Sequence, residues 1–398
     1  MDALLTIDEA LTLVLANVTP LEAEDVPLAD AAGRVLAEPA RAAVDLPSFP
    51  SSAMDGFALR AADTPGTLPV VARIAAGRPA PRPLEPGEAM AISTGGVVPV
   101  GADSVVPIEL VEERDGGGTV VVTGNVAMAD NVRHRGGDLR KGDLVVAAGV
   151  RLGPAHVGAL AASGVTIARC ARLPRVAIIV TGSELRAPGE PLEEGQIYDA
   201  NGFILAAQLR STGAAVERLP PVADDETATR AAIEQGLAGD VLVTTGGVSV
   251  GVHDLVRATE AELGVEEIFW RVAMQPGKPV AFGVRGRTLV FGLPGNPVSS
   301  LVGFELFVRP ALLALQGLAD PKPMFRPGRL AAPAKRLAAR DALLRARTRV
   351  EGEVMLLDPL TGQQSHMIAQ AAAADALVLV PHGEGELGAG SPVSYLQL

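Results

Sequence analysis

The sequence predicts a multidomain α/β protein in which a mostly parallel sheet domain stands among smaller β-rich units. Three observations carry this. The 398 residues exceed what one hydrophobic core organises, so two to four domains are expected. Between 175 and about 316, short apolar runs alternate with helical stretches, the pattern of a parallel sheet covered by helices on both faces. On either side of that segment the texture is different: short apolar strands cut by glycine and proline.

In chain order, residues 6–18 read as an opening helix. Thr6 and Glu9 form a T-x-x-E capping box, and Ile7, Leu11, Val14, Leu15 and Val18 make an apolar face. A second short amphipathic stretch lies around 28–37. From 44 to about 141 the chain reads as a small β domain. In it, 105–112 and 119–123 flank Asp115-Gly116-Gly117-Gly118 as a hairpin. Pro154 opens another helix running to about 163, at a first turn where its missing N–H costs nothing.

The apolar runs 176–180, 241–244 and 289–291 are buried-strand candidates, separated by helices near 200–212, 225–237 and 254–263. Ligands of such sheets sit at the carboxyl ends of the strands, and every glycine-rich motif in this half falls at such an end. Past the proline-rich linker at 320–328, short strands resume to the C-terminus, enough for a small all-β domain.

Composition narrows the function classes. A net charge of −12 disfavours nucleic acid as the main partner, and the 3% aromatic content leaves no stacking platform for bases. One cysteine, Cys170, excludes an internal disulfide framework and a cysteine-based zinc site. The start lacks a basic signal-type region, and no apolar run is expected to span a membrane; 152–168 comes closest but contains Gly153, Pro154 and His156. A cytoplasmic, reducing location follows as the expectation.

Several segments can carry chemistry, each with a plainer reading beside it. TTGGVSVG at 244–251 follows a strand and precedes a helix; its paired glycines, Gly246 and Gly247, suit an anion cradle and equally a strand-to-helix turn. Asp254 at the next helix start also reads as an N-cap. GLPGNPVSS at 292–300 offers Asn296 as N-cap and Pro297 at the first helical position, with free N–H groups toward the sheet's carboxyl edge. MQPGKP at 274–279 holds Lys278 in a Pro-Gly turn suited to a tetrahedral oxyanion, although a lone surface lysine is the base-rate reading.

Carboxylates recur beside these turns. Asp55 in SAMDGFA precedes a glycine, as hairpin turns do. Glu184 in TGSEL lies just past the first strand of the α/β segment, where it can face the ligand crevice. Asp224 and Asp225 precede a helix, and capping accounts for one of them. Arg133, His134, Arg135, Arg140 and Lys141 surround Asp138 in a glycine-rich loop, an anion site or a solvated loop. The five histidines lack metal-ligand spacing. Scattered Asp and Glu beside phosphate-type turns point instead to a hard cation such as Mg²⁺.

In order and spacing, SAMDGFALR, STGGVVPVGADSVV, RGGDLRKGD, TGSEL, GQIYDANG, TTGGVSVG, QPGKP and GLPGNPVS resemble the molybdopterin molybdenumtransferase family, bacterial MoeA and the gephyrin E domain. The resemblance runs from about residue 5 to the C-terminus. It implies a homodimer of elongated four-domain chains: a discontinuous small linking α+β domain from 1–41 and 143–173, an inserted β domain at 42–142, an α/β domain of molybdopterin-binding type at 174–322, and a C-terminal β-barrel-like domain at 323–398. It implies, too, that the cleft lies between the α/β and C-terminal domains of one subunit and the inserted domain of the other.

By motif, the resemblance assigns function to Asp55, Thr94, Asp138, Glu184, Asp224 and Asp254, and a mechanistic reading adds Mg²⁺ held by some of Glu184, Asp224 and Asp254. Substrate binding falls to Gly246, Gly247, Ser249, Lys278, Pro294, Asn296, Pro297, Arg345 and Ser365 of GQQSHM. Gln275 and Arg271 stand where many members have lysine, so a charge is lost near the oxyanion unless Arg271 or Arg345 compensates. Gln364 replaces a common glycine in the C-terminal loop, and Phe57 a common tyrosine.

The implied reaction moves molybdate onto adenylyl-molybdopterin with release of AMP, and a molybdopterin adenylyltransferase becomes an expected partner. Two rivals are a molybdopterin adenylyltransferase, against which SAMDGFA and RGGDLRKGD argue, and a non-catalytic cofactor carrier or scaffold, against which the acidic set argues. Tungstate in place of molybdate is not separable from sequence.

Overall fold

The computed structural model describes residues 4–223, 225–246 and 255–398. Its centre is a six-stranded sheet in the order Ala215–Arg218, Arg175–Val180, Val241–Thr245, Thr288–Leu293, Ala281–Arg285, Glu266–Trp270. The first four strands are parallel, Ala281–Arg285 runs against them, and the edge strand Glu266–Trp270 runs with them again, so the parallel core expected from sequence carries antiparallel pairings at one side. The three inner parallel strands are short apolar runs buried on both faces, and their side chains alternate between two cores. Val176, Ile178 and Val180 pack with Leu205 and Leu209 of helix Asn201–Ser211. Ala177 and Ile179 pack on the other face with Ile233 and Leu237, from helix Glu226–Gly236 and its C-cap, and Val256 of helix Leu255–Glu262. Asp225 caps helix Glu226–Gly236 by accepting from the Ala228 N–H at 2.8 Å.

A continuous helical rod fills the first core: Pro297–Gly303, a π-helical turn at Phe304–Val308, then Arg309–Leu315. Residues Pro297–Leu315 form one stretch of 19 with mean hydropathy 1.6, so this rod, and not 152–168, comes closest to a membrane span in length and composition. It is 78% buried inside the protein, where it serves as the core helix of the α/β unit.

The opening helix, Ile7–Ala16, starts at the expected capping box: the Glu9 N–H donates to Thr6 Oγ1 and the Thr6 N–H to Glu9 Oε2. Its buried residues Ile7, Ala10, Leu11 and Val14 join the α/β core. Grouping it by sequence with 18–41 therefore separates it from the unit it packs in. The remaining linking segments do meet: Ala23–Pro27 pairs antiparallel with Ile167–Ala171 over a core of Val26, Leu36, Leu160 and Cys170. The stretch at 28–37 is not a helix beyond the 3₁₀ turn Leu28–Asp30. Gly33, at φ 81°, breaks it, and Val35 and Leu36 make extended bridges to Arg151 and Cys170.

The inserted β unit is a six-stranded sheet ordered Ser104–Pro107, Gly56–Leu59, Ala89–Ile92, Gly66–Ile74, Thr119–Val122, Val111–Arg114. The expected hairpin exists only in its second half, Val111–Arg114 with Thr119–Val122. Ser104–Pro107 leaves it across a 3₁₀ turn at Ile108–Leu110 to pair with Gly56–Leu59. At the C-terminus, Asp341–Glu351, Val354–Pro359, Arg326–Leu330, Pro392–Gln397 and Ala376–Val380 follow one another as neighbours. The last pairs back on the first, closing a five-stranded barrel. Met274–Gln275 of the α/β unit adds to this barrel beside Asp341 and Ala342.

An ion-pair knot locks the linking segment to the base of the sheet. Arg172 donates two 2.7 Å bonds to Asp240 and one of 3.2 Å to Glu22, while the Arg175 N–H donates to Asp240 at 2.8 Å. Burial alone would raise the Asp240 pKa, but the bonds from Arg172 and Arg175 and their charges outweigh it and hold the carboxyl below its ordinary value. A depressed carboxyl stabilises the fold above its unfolded value and loses that contribution as pH falls through the folded one. Asp240→Asn should therefore cost about 1–3 kcal/mol at neutral pH. Its melting curve should converge on the unmodified protein's as pH drops below 3.8, the ordinary carboxyl value. Parallel melts at neutral and acid pH check this; a gap that persists in acid would count against it.

Candidate active site

A cleft of about 650 Å³ opens at the carboxyl ends of three adjacent parallel strands. Its floor comes from Val180, Thr181 and Gly182 after the first strand, Thr245 and Gly246 after the second, and Pro294, Gly295, Asn296 and Pro297 after the third. Strand ends there expose backbone groups that the sheet no longer pairs, which is why such crevices bind ligands. One wall is Tyr198, Asp199 and Asn201 at the start of helix Asn201–Ser211, and His366 arrives from the barrel.

Polar wiring fixes the floor. Asn201 Nδ2 donates to Gly295 O at 2.8 Å and to Thr245 Oγ1 at 2.9 Å, and Thr245 Oγ1 donates to Pro294 O at 3.1 Å. Because Gly295 O only accepts, the Asn201 amide nitrogen must face it and Oδ1 is left as an acceptor. Asn201 Oδ1 and Thr181 Oγ1 are buried and make no hydrogen bond among the described residues. Unsatisfied polar atoms of this kind cost about 1–3 kcal/mol each and collect at functional sites. Gly246, at φ 92°, lies so close to Thr181 that a Cβ there would stand 2.5 Å from its carbonyl oxygen. Only glycine lets the second strand turn away at this point. Asp199, 3% exposed, accepts from the Gly202 N–H at 2.8 Å and has Arg218 at 3.8 Å.

Of the residues expected from sequence, Glu184, Gly246, Pro294, Asn296 and Pro297 line this cleft. Asn296 occupies the N-cap position but its side chain makes no capping bond. The helix start is also less open than expected: Pro297 has no N–H, and the Val298 N–H donates to Ser365 O at 3.1 Å. That bond sets the Ser365 loop against the cleft floor. Lys278 is half-buried beside Pro279, a cleft residue; its carbonyl accepts from the Val272 N–H at 2.9 Å, and no carboxylate pairs with its ammonium among the described residues. Gln275 is exposed on the short strand that joins the barrel.

Arg345 differs from its expected role. It is 2% exposed, and its guanidinium donates to Gly362 O at 2.6 Å, Met367 O at 2.8 Å and Gln364 O at 3.1 Å. Burial pushes its pKa down. With its donors spent on three carbonyls of the 362–367 loop, it cannot also supply the charge missing at Gln275; it holds the loop that carries Ser365. Arg271, at φ 79°, stacks at 3.6 Å on Trp270, which Arg257 also approaches at 4.0 Å. Gln364 is not among the positive-φ residues, and the glycine geometry of the loop falls instead to Gly362, at φ 72°. Phe57 is 2% exposed within the inserted sheet, where a tyrosine hydroxyl would need a buried partner.

The residues of the inserted unit do not line the cleft of their own chain. Asp55 and Thr94 do meet each other: the Thr94 N–H donates to Asp55 Oδ1 at 2.7 Å. Asp138 lies on an exposed loop. Gly247, Ser249, Asp224 and Asp254 lie outside the described residues. Among the described residues no group of three His, Cys, Asp or Glu side chains is placed to hold a metal ion, and Glu184 is the one expected ligand among them. Those residues alone do not compose a cation site. Thr181, Asp199 and Asn201 were missed from sequence; the signal available was GQIYDANG, whose Asp and Asn stand at a helix start after a glycine-rich turn.

Fold and cleft together define a multidomain protein whose central α/β unit carries a ligand cleft at the ends of its parallel strands. The chain matches the MoeA N-terminal region (domain I and II) over residues 5–164, a probable molybdopterin binding domain over 177–314, and the MoeA C-terminal region (domain IV) over 327–398. It is 37% identical to molybdopterin molybdenumtransferase 2 of Mycobacterium tuberculosis (strain CDC 1551 / Oshkosh), covering 94% of each chain. It is 36% identical to the molybdopterin molybdenumtransferase of Synechococcus elongatus over 99% of this chain and 100% of that one. The crystal structure of a molybdopterin biosynthesis MoeA protein from Pyrococcus horikosii superposes with a TM-score of 0.83 at 32% identity over 99% of both chains. The chain belongs to the molybdopterin molybdenumtransferase (MoeA) family.

Proposed function

We propose that this enzyme transfers molybdenum from molybdate to adenylyl-molybdopterin, cleaving the P–O–P anhydride and releasing AMP. The observation that carries the reading is the meeting of three strand-end turns with the Ser365–His366 loop of the barrel at one cleft. Backbone N–H groups of Gly246, Gly295 and Asn296 suit the pyrophosphate, since glycine-rich strand ends turn donors toward an anion. Lys278 and Ser365, next in the chain to the cleft residues Pro279 and His366, would supply a cation and a hydroxyl, the donors a tetrahedral oxyanion needs. Such positioning raises the rate by holding the reacting groups together, with no covalent enzyme intermediate.

Mg²⁺ belongs to this proposal as the charge-neutralising partner of the pyrophosphate, with Glu184, Asp224 and Asp254 as its candidate ligands. Carboxylates repel molybdate, so metal ligation and orientation are their sensible roles. Asp55, Thr94 and Asp138 enter the proposal as the contribution of a second copy of the chain in a homodimer, which accounts for their distance from their own cleft. The enzyme would act in the cytoplasm, receiving its substrate from a molybdopterin adenylyltransferase.

The test is to incubate the purified protein with adenylyl-molybdopterin, molybdate and Mg²⁺, follow AMP by chromatography, and assay activation of an apo-molybdoenzyme. Molybdate-dependent AMP release with activation is the expected result. Incorporation of AMP would make the chain an adenylyltransferase, and tight binding without release would make it a carrier.

A further inference from the structure

Asp138 sits in a loop that has every opportunity to neutralise it. Arg133, His134, Arg135, Arg140 and Lys141 surround it in sequence, yet its carboxylate has no hydrogen bond or ion pair among the described residues. The segment 45–47 runs beside the loop and ties it down. Asp45 Oδ2 accepts from Arg135 Nε at 2.6 Å, and Asp45 Oδ1 accepts from the Lys141 N–H at 2.8 Å. One carboxylate thus ties the loop on both sides of Asp138. Between these ties the Leu46 N–H donates to Leu139 O at 2.7 Å, and Leu46 O accepts from the Asp138 and Leu139 N–H groups at 3.0 and 3.1 Å. Pro47 O accepts from the Gly136 N–H at 2.9 Å.

Two consequences follow from this arrangement. The Asp138 peptide is fixed while its side chain is left free, the condition for presenting a carboxylate to something outside the loop. In addition, Arg135, three residues before Asp138, is engaged by Asp45. The Asp45 side chain is 19% exposed against 66% for Arg135, so the carboxylate is the fixed partner and the arginine the one drawn in. The Lys141 N–H and Arg135 hold the Asp45 carboxyl below its ordinary pKa, so it stays charged throughout the neutral range.

We propose that Asp45 is a positioning residue for Asp138: it fixes the 135–141 loop and withholds Arg135, so that the Asp138 carboxylate remains unpaired for the reaction. This rests on the reading above that Asp138 serves the transfer reaction. Asp45→Asn keeps an acceptor for the Lys141 N–H but releases Arg135.

Molybdate-dependent AMP release by the full-length protein tests it. Asp45→Asn should lower kcat about tenfold with the molybdate KM within about twofold of normal, the signature of a lost orientation rather than lost binding. In an Asp138→Asn background the same change should cost less than about twofold, because the two act as one unit. Adding Arg135→Gln to Asp45→Asn should restore about threefold or more of the rate, since no freed guanidinium then covers Asp138. Asp45→Glu, which keeps the charge, should retain most activity and serves if the asparagine variant fails to fold. Normal turnover of Asp45→Asn beside an impaired Asp138→Asn would overturn the proposal while leaving the role of Asp138 intact. Equal losses in both backgrounds, or no restoration by Arg135→Gln, would overturn it as well. Normal turnover of Asp138→Asn would remove the reading on which it stands.

Discussion

Exchanging Arg345 for methionine should abolish most molybdate-dependent AMP release although this side chain is buried away from the cleft. The guanidinium is the shared donor for the carbonyls of Gly362, Gln364 and Met367, and its position under the loop leaves methionine to fill the volume but satisfy none of them. Three carbonyls stranded or forced toward water should cost about 2–4 kcal/mol. The cost falls on the loop first, because the barrel strands keep their own ladders. As the loop loosens, the bond from the Val298 N–H to Ser365 O is lost with it, and the barrel's contribution to the cleft goes out of register. A fall in kcat of about a hundredfold is expected, since misplacing a positioning group by roughly an ångström has effects of that size. Arg345→Lys should recover part of it, as one ammonium can reach some but not all of three divergent carbonyls. Turnover and melting indistinguishable from the unmodified protein would refute the loop-holding role.

The second large effect is expected at Lys278, and it should appear in binding. Lys278 is held by the backbone bond between its carbonyl and Val272, next to a cleft proline, and no acidic side chain among the described residues competes for it. Gln275 removes the other cation that the family carries in this turn, and Arg345 is committed elsewhere, so on the proposed reading an oxyanion here would depend more heavily on Lys278 than in a chain carrying both charges. Lys278→Gln should raise the molybdate KM about 10- to 100-fold, the worth of one or two charge-assisted hydrogen bonds. The maximal rate should change much less. Initial rates over a molybdate series separate the two, and an unchanged KM would remove Lys278 from the oxyanion site. Raising the ionic strength should weaken the unmodified protein toward the variant, because a half-buried charge is partly screened.

The parts of the fold that could be read in the sequence are those dictated by local chemistry. The capping box at Thr6 and Glu9, the proline at the start of Pro154–Ala162 and the buried β-branched runs of the central sheet each announce an element within a few residues. The hairpin at Asp115–Gly118 was half legible: its glycine turn is local, but whether Val105 continues into it or leaves for Gly56–Leu59 depends on a strand fifty residues away. The cleft shows the same division. Gly246, Pro294, Asn296 and Pro297 stand out as turn residues at strand ends, whereas Thr181 and Asn201 become notable only because folding buries their oxygens without partners. Asp225 was one of two adjacent aspartates, and its capping bond accounts for it as a helix start would require.

The sequence by itself determined the α/β class, the strand-end placement of the glycine-rich turns and the family, because periodicity, caps and turn residues act over one or two helical turns of chain. Tertiary structure alone decided that the opening helix packs in the α/β core, that the last strands close into a barrel, that Arg345 points into protein rather than toward an anion, and that Asp45 holds the loop of Asp138. Each of these joins residues far apart in the chain through burial and hydrogen bonds, and a side chain's partner, unlike its propensity, leaves no mark on its immediate neighbours.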